Sequence, residues 1–152
     1  MSRVVVIGVG NAFRSDDGAG LRAVELARPL LPPDVPVIES DGEPARLIDC
    51  WRGAEVAIVV DASRSDAEPG FVRRAEAGRD PLPDPLSGGS THALGIGEAV
   101  ALAEALGRRP ERVIVFAIEG ASFDAGEGLT AAVEAGAAVA AERLVEEVAV
   151  CV

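Results

Sequence analysis

Two adjacent aspartates, a later aspartate and the single histidine of the chain are the residues best suited to chemistry. Asp16 and Asp17 follow the first apolar segment, Asp61 ends a later one, and His92 stands at the start of a helical pattern. Carboxylates gathered at one place repel each other unless a cation neutralises them. A divalent metal is therefore the simplest hypothesis for a fold that brings these side chains together.

The apolar pattern alternates between short β-type runs and helical periodicity. Predicted strands cover residues 4–9, 35–39, 56–61, 70–74 and 112–118, and predicted helices cover residues 18–31, 44–51, 92–106 and 129–148. Such alternation is typical of an α/β fold in which helices cover both faces of a mostly parallel sheet. The fourth strand is short and charged, which favours an edge position. No repeat or composition break divides residues 1–152, so we expect a single domain.

Polar residues cluster where these strands end, which is where open α/β sheets bind ligands. The candidates after strands are Asn11, Asp16, Asp17, Asp41, Glu43, Asp61 and Glu119. The loop that leads into the third predicted helix adds Ser90, Thr91 and His92. Each one also has an ordinary structural interpretation. The aspartate pair could cap the first helix, Asp61 could be a polar strand end, and His92 could be an exposed helix start. The metal hypothesis depends on their combination, because separate loops supply them.

Other site types match the sequence less well. The segment from Gly8 begins like a dinucleotide-binding fingerprint, but Phe13 stands at the position of the third glycine. A phosphate-binding P-loop and a phospho-acceptor receiver domain both need a lysine, and the chain has none. A receiver-like or metal-binding module without catalytic activity remains the alternative to an enzyme.

Charge and hydropathy narrow the range of partners. The formal net charge of −11 disfavours nucleic acid and anionic membranes. No apolar run approaches the roughly 18 residues of a membrane span, and the first residues lack a signal-peptide pattern. We therefore expect a cytoplasmic protein that binds neither nucleic acid nor membrane. Cys50 and Cys151 form no metal-binding pair, so free thiols are expected.

Four segments of the chain resemble the hydrogenase maturation proteases. The first and most specific contains Gly8-Val9-Gly10-Asn11 and, after four intervening residues, Asp16-Asp17-Gly18-Ala19-Gly20. The others are Ile58-Val59-Val60-Asp61-Ala62, Ser90-Thr91-His92 and Gly126-Glu127-Gly128-Leu129-Thr130. Together they span nearly the whole chain.

The resemblance implies a metal-dependent endopeptidase that removes the C-terminal extension of a nickel-loaded NiFe-hydrogenase large-subunit precursor. It assigns Asp17, Asp61 and His92 as the metal ligands and catalytic residues. It also implies a three-layer α/β/α sandwich around a mixed sheet of about five strands. The nickel would be supplied by the substrate, although two carboxylates and one imidazole also suit zinc or another divalent metal.

Three further expectations concern the surroundings of this site. Glu43 stands where the family usually has the threonine of a glycine–threonine turn, which suggests an altered contact to substrate. The loop at residues 78–90, rich in proline and glycine, is expected to close over the C-terminal segment of the substrate. Asp16 could orient a metal ligand without binding the metal itself, or it could cap the first helix, and the cap is the expected role.

Overall fold

The computed structural model describes residues 3–82 and 91–152, and the side chains of residues 91–95 lie outside the description. The strands are β1 (Val4–Val9), β2 (Val37–Ser40), β3 (Val56–Ser63), β4 (Val72–Glu76) and β5 (Arg112–Glu119). The helices are α1 (Ala19–Ala27), α2 (Pro44–Cys50), α3 (Thr91–Leu106) and α4 (Ala131–Cys151), with 3-10 turns at Ser15–Gly18 and Arg28–Leu30. Within the described ranges, no helix has the length and apolarity needed to cross a membrane.

A single five-stranded sheet with the order β2-β1-β3-β5-β4 forms the centre of the molecule. Strands β2, β1, β3 and β5 run parallel, and the edge strand β4 runs antiparallel to β5. This arrangement confirms the predicted α/β fold with a mostly parallel, mixed sheet of about five strands. Receiver domains have the strand order 2-1-3-4-5, so the topology disfavours that alternative.

Helices cover both faces of the sheet. Successive strand residues point to opposite faces, so a strand of uninterrupted apolar residues can be buried on both sides. Helices α1 and α4 cover one face, where Val6, Val24 and Leu144 belong to one buried cluster. Helices α2 and α3 cover the other face, where the buried cluster includes Ile7 and Trp51. The three layers are those that the sequence predicted.

Several element boundaries differ from the prediction. The helix expected to reach residue 31 ends at Ala27 and continues as a 3-10 turn, because Pro29 has no N–H to donate. The strand predicted to end at Asp61 continues to Ser63. Its last residues pair in register with β5, which itself continues to Glu119. Asp61 therefore lies inside β3 rather than at its end.

A buried carboxylate joins β4 to β5 at the amino end of β5. Glu76 is 6% exposed, and its carboxylate accepts hydrogen bonds from Arg112 Nη2 at 2.9 Å and Arg112 Nε at 3.1 Å. These hydrogen bonds from Arg112 outweigh burial and hold the pKa of Glu76 below its ordinary value. The ion pair lies at the edge of the sheet opposite the carboxyl ends of β1 and β3.

Replacement of Glu76 by glutamine should lower the free energy of unfolding by about 2 kcal/mol at neutral pH, because Arg112 loses its buried counter-ion but stays partly hydrated. The wild-type contribution is fully present above the ordinary glutamate pKa of 4.5 and fades as the pH falls through the lower pKa of the folded state. Denaturant unfolding of both proteins between neutral pH and about pH 3 measures this difference. A difference that stays constant over this range would contradict the assigned role.

Candidate active site

Two glycines hold the turn that carries Asp17 against the carboxyl ends of β1 and β3. A Cβ added to Gly10, just after β1, would overlap the carbonyl oxygen of Asp17. A Cβ added to Gly20 would overlap the carbonyl oxygens of Val9 and Val60. Glycine permits these close backbone approaches because it has no Cβ. Asp17 therefore lies where two neighbouring parallel strands end.

Asp17 and Asp61 are almost completely buried carboxylates at this edge of the sheet. Asp17 is 0% exposed within its 3-10 turn, and Asp61 is 2% exposed within β3. The turn packs against β3, and Asp61 Oδ1 accepts a hydrogen bond from Ala62 N at 2.7 Å. The structure thus places these two predicted site residues at the same edge.

The third predicted site residue, His92, lies in the first turn of α3. Its side chain lies outside the described residues, so its role stays a prediction. About one helical turn further along, Ile96 and Gly97 line a small cavity that Asp61 and Leu82 also line. The helix that carries His92 therefore passes beside β3 at the level of Asp61.

The donors at this edge suit a divalent cation. Asp17 and Asp61 offer carboxylate oxygens where bulk water is excluded, and buried anions require a cation or hydrogen bonds. Among the side chains that the structure describes, no three His, Cys, Asp or Glu residues form a metal-binding group. His92 lies outside that set. Residues 83–90, most of the loop expected to close over the substrate, also lie outside the described residues.

The prediction that Asp16 caps the first helix is wrong, since neither the 3-10 turn nor α1 receives a side-chain cap. The carboxylate of Asp16 instead accepts hydrogen bonds from the backbone N–H groups of Ala121, Ser122 and Thr130 and from the Thr130 hydroxyl. Burial raises the pKa of Asp16, but these hydrogen bonds outweigh burial and leave the pKa below its ordinary value. Thr130 lies 114 residues away, beyond the reach of a local capping pattern.

An open groove of about 650 Å³ adjoins the 3-10 turn. Residues 10–14 line one part of it and residues 41–44 another, and the lining residue Phe13 is 67% exposed. Glu43 caps α2 by accepting a hydrogen bond from Arg46 N at 3.1 Å. A threonine is also a good helix cap. Glu43 therefore has a structural role as a helix cap and also lines the groove.

A further carboxylate near this edge has a structural role. Glu119 is 3% exposed at the end of β5, and it accepts hydrogen bonds from Ser65 N at 2.7 Å and Ser65 Oγ at 2.8 Å. These bonds fasten the segment after β3 to the end of β5. Its burial is therefore explained without a ligand.

Comparison with known proteins identifies the family. A family model described as hydrogenase maturation protease (HycI) matches residues 22–147. The chain belongs to this family. The match extends from α1 into α4, and it confirms the resemblance found in the sequence.

Two hydrogenase expression/formation proteins are moderately similar to the chain in sequence. The hydrogenase expression/formation protein HupD of Thiocapsa roseopersicina is 29% identical over 123 residues, which cover 80% of this chain and 56% of HupD. HupD of Bradyrhizobium diazoefficiens is 29% identical over 116 residues, which cover 75% of this chain and 60% of that protein. The chain spans little more than half the length of these relatives.

Solved structures of maturation proteases share the fold. The hydrogenase maturating endopeptidase HybD from E. coli has a TM-score of 0.83 and 24% identity, covering 97% of this chain and 92% of HybD. The NiFe hydrogenase maturation protease HybD from Thermococcus kodakarensis has a TM-score of 0.75 and 26% identity, covering 97% of this chain and 99% of that chain. The chain therefore shares its overall fold with these proteases.

Proposed function

We propose that the chain is a metal-dependent endopeptidase that removes the C-terminal extension of a nickel-loaded NiFe-hydrogenase large-subunit precursor. The observation that carries this proposal is the pair of buried carboxylates, Asp17 and Asp61, at the carboxyl edge of the sheet in a member of this family. His92, whose helix passes beside Asp61, is the proposed third ligand. The names of the similar proteins, which include endopeptidases and maturation proteases, support a peptidase.

In this proposal the cation belongs to the substrate. Nickel bound at the site would polarise the scissile carbonyl or lower the pKa of a water molecule. Asp17, Asp61 and His92 would hold the nickel, and three protein ligands leave coordination positions open for reacting groups. Burial of the two carboxylates fixes their positions before the precursor arrives, which reduces reorganisation during the reaction. The assignment of the only histidine to nickel leaves none for a Ser–His or Cys–His mechanism.

Two precursors that differ only in nickel content test this function. The protein should shorten the nickel-loaded precursor at its C-terminus and leave the nickel-free precursor intact. Mass spectrometry of the two precursors after incubation measures both results. An uncut loaded precursor would contradict the peptidase assignment, and equal cleavage of the two would contradict the role of nickel.

The free protein should bind nickel weakly, with a dissociation constant in the micromolar range or higher, because its three ligands leave the remaining positions to water. Isothermal titration with nickel(II) measures this affinity, and Asp61→Asn should reduce it further. Wild-type affinity in the nanomolar range would contradict a metal supplied by the substrate. An unchanged affinity in the Asp61→Asn variant would show that the titrated nickel binds elsewhere.

A further inference from the structure

The first half of the turn that carries Asp17 is hydrogen-bonded to the β5–α4 loop, which we define as residues 120–130. Ser15 N donates to the carbonyl oxygen of Gly126 at 2.9 Å, and Asp16 N donates to that of Ser122 at 2.9 Å. In return, Gly126 N donates to the carbonyl oxygen of Phe13 at 2.9 Å. The two segments therefore form a short parallel pairing, although more than a hundred residues separate them in the chain.

The Asp16 carboxylate is the centre of this contact. It is 0% exposed and accepts hydrogen bonds from Ala121 N at 2.8 Å, Ser122 N at 2.9 Å and Thr130 N at 2.8 Å. The Thr130 hydroxyl also donates to it at 2.9 Å. Thr130 is the N-terminal capping residue of α4, yet its hydroxyl makes no bond within its own helix. The positive end of the 21-residue helix α4 thus faces a carboxylate from another part of the chain.

One residue of the turn has a strained backbone conformation. Ser15 has φ of +52°, a left-handed conformation that a residue with a side chain adopts at a cost. Its hydroxyl donates to the carbonyl oxygen of Asp124 at 2.8 Å, which is another bond to the β5–α4 loop. A strained residue next to Asp16 and two before Asp17 persists because the surrounding bonds over-determine the turn.

We propose that Asp16 is a positioning residue, which fixes the backbone of Asp17 by anchoring the 3-10 turn to the β5–α4 loop. This inference rests on the proposed function, because it assigns to Asp16 the preorganisation of a nickel ligand. The two adjacent aspartates then divide their roles. Asp16 binds backbone donors of the loop, and Asp17 is presented at the carboxyl edge of the sheet beside β3. A displacement of the turn by about 1 Å would misplace that ligand and slow the reaction about 100-fold.

Asp16→Asn is the first test, because the amide keeps the shape but turns one acceptor into a donor facing N–H groups. Amide hydrogen exchange of Ser15, Ser122 and Thr130 in the variant should accelerate by about 30-fold. With a nickel-loaded precursor, kcat should fall about 100-fold while KM changes less than about twofold, the pattern of a lost transition-state contribution.

Thr130 supplies a second pair of variants that should disturb the fold less. Thr130→Val removes the hydroxyl donor to Asp16 and keeps the backbone N–H, so kcat should fall about 10-fold. Thr130→Ser retains the hydroxyl, so this variant should cleave at close to the wild-type rate. If Asp16→Asn fails to fold, the two Thr130 variants alone test the positioning role. Equal kcat values for the valine and serine variants would then overturn it.

Glu76→Gln is the matched control for loss of stability, because it replaces a buried hydrogen-bonded carboxylate at the opposite edge of the sheet with an amide. At a temperature where all variants are folded, it should leave kcat unchanged. A fall in kcat equal to that of Asp16→Asn would show a merely structural effect and overturn the proposal. Cleavage by Asp16→Asn at the wild-type rate would overturn the positioning role alone, whereas failure of the wild-type protein to cleave loaded precursor would overturn the proposed function as well.

Discussion

Asp17→Asn, Asp61→Asn and His92→Ala should each slow cleavage of a nickel-loaded precursor by roughly 10³-fold, because a metal in a hydrolytic site contributes several kcal/mol to the transition state. Each substitution removes one of the three proposed ligands. Single-turnover cleavage with excess protein, followed by the mass of the precursor, measures the rate without interference from product release.

The aspartate variants should remain folded, which separates loss of a ligand from loss of structure. Asparagine has nearly the shape of aspartate, and removal of one buried charge relieves repulsion at an acidic edge. Thermal unfolding should therefore show no decrease in midpoint for Asp17→Asn or Asp61→Asn. Glu39→Gln makes the equivalent charge change at an exposed position of β2 and should cleave at the wild-type rate. Wild-type rates in all three site variants would contradict the assigned site.

Gly20→Ala should lower the free energy of unfolding by about 3 kcal/mol or prevent folding, because overpacking against atoms that cannot retreat is costly. The added methyl group would overlap the carbonyl oxygens of Val9 and Val60. Both belong to paired strands at the centre of the sheet, and neither can move without breaking the pairing. Denaturant unfolding monitored by circular dichroism measures the change.

Gly97→Ala is the control for this substitution. Gly97 is an exposed residue inside α3, and a Cβ there would meet no described atom within 4 Å. Alanine at such a helical position should raise stability by about 0.5–1 kcal/mol. Opposite signs for the two glycine-to-alanine changes are therefore expected. A Gly20→Ala protein as stable as the wild type would show that α1 does not depend on this close approach to the strands.

The positions of the strands and helices followed from local patterns. Residues 4–9 are continuously apolar and, except for Gly8, β-branched, which is sufficient to predict a central strand. The edge position of β4 was also predicted correctly from its local pattern. The strand is short and charged, and a charged strand is poorly suited to the middle of a sheet. The predicted bounds were wrong at the ends of some elements. Pro29 shortened a helix, and pairing with β5 lengthened the strand that contains Asp61. The end of a helix or strand depends on residues outside its apolar pattern, such as those of a pairing strand.

The site was only partly accessible to sequence reasoning. The placement of Asp17 and Asp61 at one edge follows from the rule that parallel strands end together. The role of Asp16 does not follow from any local pattern, because its hydrogen-bond partners Ser122 and Thr130 come close to it only in the folded chain. One signal was available: Thr130 ends the segment that resembles the family motif before the last helix. Its partner could not be inferred without the structure.

The most direct test of the central claim is the mass of a nickel-loaded precursor after incubation with protein that has been stripped of metal by a chelator. The proposed function predicts that the stripped protein removes the C-terminal extension with no metal added, because Asp17, Asp61 and His92 act on the nickel that the precursor carries. Cleavage that appears only after metal is returned to the protein would contradict a substrate-borne cation. A precursor that keeps its full mass under both conditions would contradict the peptidase itself.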